Sequence, residues 1–256
     1  MNDYEDKIRR EQDWYEHPGF QKNQFLNSRL FYSRERAVFS AAFCKTQFAK
    51  CIRGVLKQND LANPRMLIAP AGAGNDLPYL SPLSNRITGI DISPAAIRQI
   101  ADPTIDKHVG DIKHMNMFAN NQFDLIVMSA FFHHFVKFGF DEFLQEARRV
   151  LRPGGHFFSF EPSLLHPFCF AAWCGKKILG NITGCVEDES PFCPVRLTAA
   201  MKRCGFRDVT ISAASYSHNR MPIPLARIIH AMTYPLLRAP LVKYFAWWCV
   251  FYGRKP

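Results

Sequence analysis

Two aspartates, Asp91 and Asp111, each follow a strand-like apolar run downstream of a turn rich in small residues. The turn contains Gly72 and Gly74, and Asp91 comes seventeen residues after Gly74. In a doubly wound α/β sheet, ligands bind where the carboxyl ends of parallel strands meet the following turns. Glycine lets the backbone approach a ligand closely, and the carboxylate of Asp91 can accept two hydrogen bonds from a ribose diol. Because Asp111 can likewise accept from an adenine amino group, the spacing predicts a site for a nucleoside-bearing cofactor.

These residues must be positioned by alternating strands and helices. From Pro64 to Phe160, strand-like runs alternate with helical patterns, which predicts a parallel sheet. Ser93 and Pro94 suit the N-cap and first position of a helix. A second helix is predicted over Asp141–Leu151, and we expect Pro153 to stop it. Residues 1–60 are predicted to be helical, over 22–31 and 34–57, and we expect them to form an N-terminal lid.

The pattern changes after Pro162. Two apolar segments, at about 163–192 and 218–242, carry interleaved cations and tryptophans. Between them we expect a helix over Val195–Cys204, ended by a glycine, and a strand over Arg207–Ala214. An aromatic strand is predicted over Lys243–Gly253. The chain is therefore predicted to contain one sheet domain, residues 61–256, with two insertions.

Two further motifs connect the sheet to a known family. Phe-Asp-Leu-Ile-Val at 123–127 leads into His133-His134, and Arg-Val-Leu-Arg-Pro-Gly-Gly at 149–155 precedes a strand. With the two aspartates, these motifs make residues 64–161 resemble the class I S-adenosylmethionine-dependent methyltransferases, in particular small-molecule enzymes of the quinone-biosynthesis and glycan-cluster type. The resemblance implies a methyltransferase of the EC 2.1.1 class.

The resemblance also implies a fold and a cofactor. The fold is a Rossmann-like α/β fold with a seven-stranded, mostly parallel sheet, helices on both faces, and a final hairpin. The cofactor is S-adenosyl-L-methionine, and its product is S-adenosyl-L-homocysteine. The implied cofactor-binding residues are Pro70, Ala71, Gly72, Gly74, Asp91, Ile92, Asp111, Ile112 and Ser129. In this family an acidic residue and a further glycine are usual where Ile68 and Pro70 stand, so we expect a variant loop.

Methyl transfer requires alignment of the acceptor and, for some acceptors, removal of a proton. Histidine suits that role near neutral pH. His134 and His133 follow the fourth strand and are the candidate bases, and they could equally serve to pack and cap the loop. Tyr32, His133, His134 and Glu161 are the candidate substrate residues. We expect no catalytic metal, and the acceptor atom, whether oxygen, nitrogen or carbon, stays open.

Three other functions are alternatives to a small-molecule methyltransferase. A nicotinamide enzyme needs a third glycine where Leu77 stands. The formal net charge of +10 suggests nucleic acid, but the residues after the fourth strand, Ser129-Ala130-Phe131-Phe132, lack the Asn/Asp-Pro-Pro motif of base-amine methyltransferases, so an RNA methyltransferase is not favoured. A non-catalytic relative that binds a nucleoside or a partner protein stays open because of Ile68 and Pro70.

The expected acceptor is a small or lipid-linked metabolite. The acidic start of the sequence and eight cysteines without metal-binding spacing favour a cytoplasmic protein. No apolar run approaches the roughly 18 residues of a membrane-spanning helix. The two apolar insertions are compatible either with peripheral membrane contact or with a cap that packs over the substrate. The sequence leaves the oligomeric state open.

Overall fold

The computed structural model describes residues 3–16, 33–179 and 189–256. Its strands are β1 Met66–Ile68, β2 Ile87–Asp91, β3 Asp106–Val109, β4 Phe123–Ser129, β5 Leu151–Pro162, β6 Arg207–Ser215 and β7 Trp248–Arg254. Its α-helices are α1 Asp3–Glu16, α2 Arg34–Gln58, α3 Leu77–Leu80, α4 Pro94–Arg98, α5 Asp141–Val150, α6 Pro167–Leu179, α7 Pro194–Arg203 and α8 Ile223–Thr233. The predicted helix over 22–31 lies outside the described residues.

The seven strands form one sheet in the order β3-β2-β1-β4-β5-β7-β6. Strands β1 to β5 pair in parallel, and β7 is antiparallel to both β5 and β6. The predicted Rossmann-like sheet and its final antiparallel hairpin are therefore confirmed. Since the strand order reverses at β1, the carboxyl ends of β1, β2 and β4 meet at the position where α/β sheets bind ligands.

Apolar side chains cover both faces of the sheet. On one face, Phe48 and Ile52 of α2 and Ile97 of α4 pack on the strands. On the other, Leu144 of α5 and Leu197 of α7 are fully buried. Because each helix presents apolar residues at three- and four-residue steps, it can bury one stripe against the sheet. The two layers hold the strand ends rigidly.

The predicted helix boundaries are mostly confirmed. Ser93 caps α4, since its Oγ accepts a hydrogen bond from the backbone N–H of Ala96 at 3.2 Å, and Pro94 is the first residue of the helix. Gly205 follows Cys204, the C-cap residue of α7, and has a φ of 85°. That left-handed conformation is strained for any residue with a Cβ.

Two predicted boundaries were wrong. Helix α5 already ends at Val150, and Leu151 is extended with a ψ of 134°, so Pro153 lies within extended chain. The restriction that proline imposes on its preceding residue accounts for the early end of the helix. The last strand begins at Trp248, because Val242–Phe245 form a 3-10 turn. Tyr244 of that turn packs against the core without strand pairing, and Phe245 is exposed.

The segments outside the regular sheet surround its carboxyl edge. Helix α6 follows β5, and α8 with the 3-10 turns Tyr234–Arg238 and Val242–Phe245 connects β6 to β7. The seven cysteines among the described residues are free thiols. In the same part of the chain, no helix has both the length and the apolarity needed to cross a membrane.

Candidate active site

A cavity of about 590 Å³ opens at the carboxyl edge of the sheet. Its volume lies within the usual range for small-molecule sites, roughly 300–1,000 Å³. At one end it is lined by Pro70, Asp91, Ile92, Asp111 and Ile112, which are five of the predicted cofactor residues. The strand register places Asp91 opposite Val109 and Ile68 opposite Gly89, so these strand ends lie side by side.

Asp91 is well placed to orient the first turn. It is only 3% exposed, and its carboxylate accepts hydrogen bonds from the backbone N–H groups of Gly72 at 2.8 Å and Ser93 at 2.9 Å. Burial raises the pKa of Asp91, and the two backbone hydrogen bonds oppose that rise without cancelling it. Two carboxylate oxygens offer about four acceptor positions, so capacity for a ribose diol remains.

The glycine-containing turn after β1, residues 70–74, lies next to Asp91 and depends on the conformations of its two glycines. Gly72 and Gly74 have φ values of 52° and 78°. A Cβ on Gly74 would come within 2.9 Å of the Leu77 side chain. Ala71 donates its N–H to the carbonyl oxygen of Ile90 at 2.8 Å, which ties the turn to β2. The turn therefore keeps its glycine-dependent shape even with Pro70 in place of glycine.

Helix α1 crosses the predicted adenine end of the cavity. The hydroxyl of Tyr4 donates to both carboxylate oxygens of Asp111, at 2.9 and 3.0 Å, and Gln12 Nε2 donates to the carbonyl oxygen of Ile92 at 3.0 Å. Sequence reasoning did not identify either contact, because the partners lie 107 and 80 residues apart in the chain. In this structure Tyr4 thus occupies acceptor capacity predicted for an adenine amino group.

His133 is held between two carboxylates. It is buried, its Nδ1 lies 2.7 Å from Glu161 Oε2, and its Nε2 lies 3.2 Å from Glu189 Oε1. Burial lowers the pKa of His133, but the hydrogen bonds and charges of Glu161 and Glu189 outweigh it and raise the pKa to about 10. The imidazole is therefore protonated at neutral pH, when it cannot accept a further proton.

Glu161 is fully buried and does not line the cavity. It accepts hydrogen bonds from the backbone N–H groups of Phe131 and Phe132 at 2.8 and 2.9 Å, and Ser159 Oγ donates to it at 3.4 Å. With His133, these donors use both carboxylate oxygens. The predicted contact with substrate is replaced in the structure by a contact that orients His133 and the loop after β4. Ser129, at the end of β4, is also buried behind the cavity wall.

His134 has a different environment. It lines the cavity, and its Nδ1 lies 3.0 Å from Glu11 Oε1 of helix α1. Burial raises the pKa of Glu11, but His134 and then Lys7 outweigh it, so the net pKa is lowered and Glu11 is ionised. In the neutral imidazole, an Nδ1 proton donated to this carboxylate leaves a lone pair on Nε2. Among the described residues, that nitrogen has no hydrogen-bond partner.

His133, His134 and Glu189 have ligand atoms within 4.8 Å of one another. Two imidazoles and one carboxylate are donors that suit zinc and other transition metals. The same imidazoles already pair with Glu161, Glu189 and Glu11. We expect these charge pairs to replace a metal, so that treatment with EDTA leaves methyl transfer unchanged. Elemental analysis of the purified chain and assays before and after chelation measure this, and a loss restored only by a divalent metal would contradict it.

The opposite end of the cavity is largely apolar. Phe168, Ala172 and Trp173 of α6 line it together with Trp247 and Trp248 at the start of β7. Charged groups are also present at this end, namely Lys176, Glu189 and Arg220. Tyr32, the remaining predicted substrate residue, lies outside the described residues. This apolar end of the cavity, the candidate acceptor chamber, therefore fits an acceptor with an extended apolar part.

Mutation of Asp91 provides a direct test of the cofactor end. We expect Asp91→Ala to bind S-adenosylhomocysteine at least about tenfold more weakly, because it loses charge-assisted hydrogen bonds of about 1.5–3 kcal/mol each. Titration calorimetry measures the change. Asp111→Ala should show a smaller loss, confined to ligands that keep the adenine amino group, and Asp106→Ala on the exposed part of β3 is the control. Unchanged affinity in Asp91→Ala would refute the ribose assignment.

Comparisons with known proteins agree with the geometry. Residues 69–159 match the family described as "Methyltransferase domain". The "Probable phthiotriol/phenolphthiotriol dimycocerosates methyltransferase 2" of Mycobacterium ulcerans is 33% identical over 108 residues, and this match spans 39% of the chain and 40% of that protein.

Two solved structures share the fold. A SAM-dependent methyltransferase of Thermotoga maritima is 16% identical with a TM-score of 0.61, covering 84% of this chain and 89% of that one. A SAM-dependent methyltransferase of Archaeoglobus fulgidus is 16% identical with a TM-score of 0.52, covering 81% and 94%. Residues 69–159 therefore resemble a methyltransferase domain, and the fold of the chain is the one found in these two SAM-dependent methyltransferases.

Proposed function

We propose that the chain transfers a methyl group from S-adenosylmethionine to a hydroxyl group of a small or lipid-linked metabolite with a large apolar part. The cofactor supplies the activated methyl group. The observation that carries the proposal is the pair formed by Glu11 and His134 at 3.0 Å, which places an oriented imidazole on the cavity wall. A hydroxyl acceptor must lose a proton during transfer, and an imidazole with a free Nε2 can take it.

In this proposal the cofactor is held by the strand ends. Asp91 accepts from the ribose hydroxyls, and Ile92 and Ile112 flank the adenine, whose amino group donates to Asp111. The turn Pro70–Gly74 provides the backbone beside the cofactor, and Ser129 closes that wall. The cavity fits such a ligand, because one buried carboxylate and several apolar side chains meet there.

The chain's own residues would divide the remaining work. Glu11 holds the Nδ1 proton of His134, and Nε2 removes the proton from the acceptor hydroxyl. His133, fixed as an imidazolium between Glu161 and Glu189, keeps a positive charge on the same wall. Helix α1 acts as the lid and helix α6 as part of the acceptor wall. Closure of these segments would exclude water and align the acceptor, which supplies much of the rate of such transfers.

The apolar half of the cavity supports the acceptor class. Large aromatic side chains bury apolar surface and orient an acceptor by shape. The M. ulcerans protein, by its name, acts on dimycocerosates of phthiotriol and phenolphthiotriol, and the resemblance is compatible with a lipid-linked acceptor here. A small amphipathic metabolite would use the same chamber.

The experiment combines binding with turnover. Titration calorimetry with S-adenosylmethionine and S-adenosylhomocysteine should show binding of both. Methyl-labelled cofactor incubated with the chain and an organic extract of the source cells should give label in the organic phase. Binding of both ligands without labelled product would favour the non-catalytic nucleoside-binding alternative that Ile68 and Pro70 suggest, and no binding at all would refute both.

A further inference from the structure

Helix α8 and the turns after it expose an unusual amount of apolar surface. Leu225, Ile228 and Met232 recur at three- and four-residue steps on α8 and are 46%, 55% and 72% exposed. Leu241 and Phe245 continue the surface at 75% and 52%. The opposite stripe of α8 is buried, since Ala226 and His230 face the interior. A helix that is apolar on both stripes needs an apolar neighbour on its outer side.

The chain segments that form this surface carry charges of one sign. The sequence contains no aspartate or glutamate after Asp208 and none from Pro162 to Val186. Arg227 and Arg238 are exposed beside the apolar residues, and Lys243 is half-exposed. The mixture of protruding apolar side chains and cations without carboxylates is complementary to an anionic lipid surface. A protein–protein interface, in contrast, is ordinarily depleted of charged residues at its centre.

The elements next to this surface, α6 and the turn before α8, form part of the cavity wall. The rings of Phe168 on α6 and His218 lie 3.7 Å apart, and both line the cavity. His166 Nε2 lies 3.1 Å from the carbonyl oxygen of Tyr216, which ties α6 to the turn before α8. A groove on the outer side is lined by His166, Pro167, Tyr216, Leu241, Val242 and Phe245. The exposed surface and the acceptor chamber are thus two sides of one layer.

We propose that this surface docks on anionic membranes. The docking surface comprises Phe168, Leu225, Ile228, Met232, Leu241 and Phe245, flanked by Arg227, Arg238 and Lys243. Its apolar side chains enter the boundary between headgroups and acyl chains, and its cations meet the lipid phosphates. Docking in this orientation brings the acceptor chamber to the membrane, where a lipid-linked acceptor resides. The docking itself does not depend on methyl transfer.

Flotation with vesicles tests the surface without any knowledge of the acceptor. The full chain should float with vesicles of phosphatidylcholine and phosphatidylglycerol at low salt. It should float less at high salt, because salt screens exposed charges. Vesicles of phosphatidylcholine alone should bind the chain more weakly. A chain that stays in the bottom fraction with anionic vesicles at low salt overturns the proposal.

Matched variants distinguish binding through this surface from non-specific binding of a basic protein to anionic vesicles. Arg227→Gln with Arg238→Gln should weaken partitioning about tenfold or more, since each cation near an anionic surface contributes about fivefold. Lys202→Gln with Arg207→Gln removes two cations near the opposite edge of the sheet and should change little. Equal losses in both pairs overturn the proposal.

The apolar side chains of the docking surface are tested against exposed apolar side chains elsewhere on the chain. Ile228→Ser with Met232→Ser should reduce binding at both salt concentrations. Val195→Ser with Met117→Ser alters two side chains that are 53% and 45% exposed elsewhere and should not. Sedimentation velocity identifies the competing occupant, a second copy of the chain. A dimer that the Ile228→Ser and Met232→Ser variant dissociates would overturn the membrane assignment.

Discussion

Replacing His134 by alanine is expected to lower the rate of methyl transfer by about a hundredfold or more, the usual contribution of a positioned general base. The affinity for S-adenosylhomocysteine should stay unchanged, because His134 contacts Glu11 and the acceptor side of the cavity. Initial rates with labelled cofactor and titration calorimetry measure the two quantities. His108→Ala, on β3 and outside the cavity, is the matched control and should keep its full rate.

Glu11 extends this test to a positioning residue. Glu11→Gln should lower the turnover about tenfold or more, because an amide no longer fixes the Nδ1 proton of His134. It should leave the KM for the cofactor close to that of the parent. In a chain that already carries His134→Ala, Glu11→Gln should have no further effect on the rate. A full effect of Glu11→Gln in that background would show that the two residues act separately.

Glu161→Ala is expected to lower the free energy of unfolding by about 3–5 kcal/mol, the usual loss when one partner of a buried ion pair is removed. Glu161 is fully buried, and its loss would leave His133 and the N–H groups of Phe131 and Phe132 without their acceptor. Urea denaturation measures the change. Glu142→Ala removes an exposed carboxylate that pairs with Lys113, and should cost less than about 1 kcal/mol.

The same contacts predict a pH dependence of stability. The pKa of His133 is raised from 6.5 to about 10 by Glu161 and Glu189 against the effect of burial. A raised pKa stabilises the fold fully below pH 6.5, and this contribution is lost as pH rises towards 10. His133→Gln should therefore flatten the decline in unfolding free energy over that interval. An unchanged slope in His133→Gln would assign the decline to other groups.

The sequence predicted the sheet well because its signals are local. The run Ile87–Asp91, the cap at Ser93 and the glycine after α7 each carry their information within a few residues. The pairs that shape the candidate active site are not local. Glu11 and His134 lie 123 residues apart, and Tyr4 and Asp111 lie 107 apart. The sequence around Glu11 gave no indication of where helix α1 packs.

The sequence also could not distinguish the roles of the two adjacent histidines. Adjacent in sequence, His133 and His134 are chemically alike, and position alone could not separate their roles. The structure separates them by the carboxylates they meet, since His133 has two and His134 has one. Those carboxylates come from β5, from the segment before α7 and from α1. Their convergence is a property of the tertiary fold.

Helix α1 also sets the order in which ligands would come and go. Tyr4 and Gln12 hold the helix on Asp111 and Ile92, so a nucleoside that binds those residues competes with the helix for them. The helix carries Glu11, and His134 gains its oriented proton only when the helix returns. We expect displacement of the helix to favour addition of the cofactor before the acceptor and release of the cofactor product last. Product inhibition by S-adenosylhomocysteine should accordingly be competitive with the cofactor, and turnover should be limited by the departure of α1.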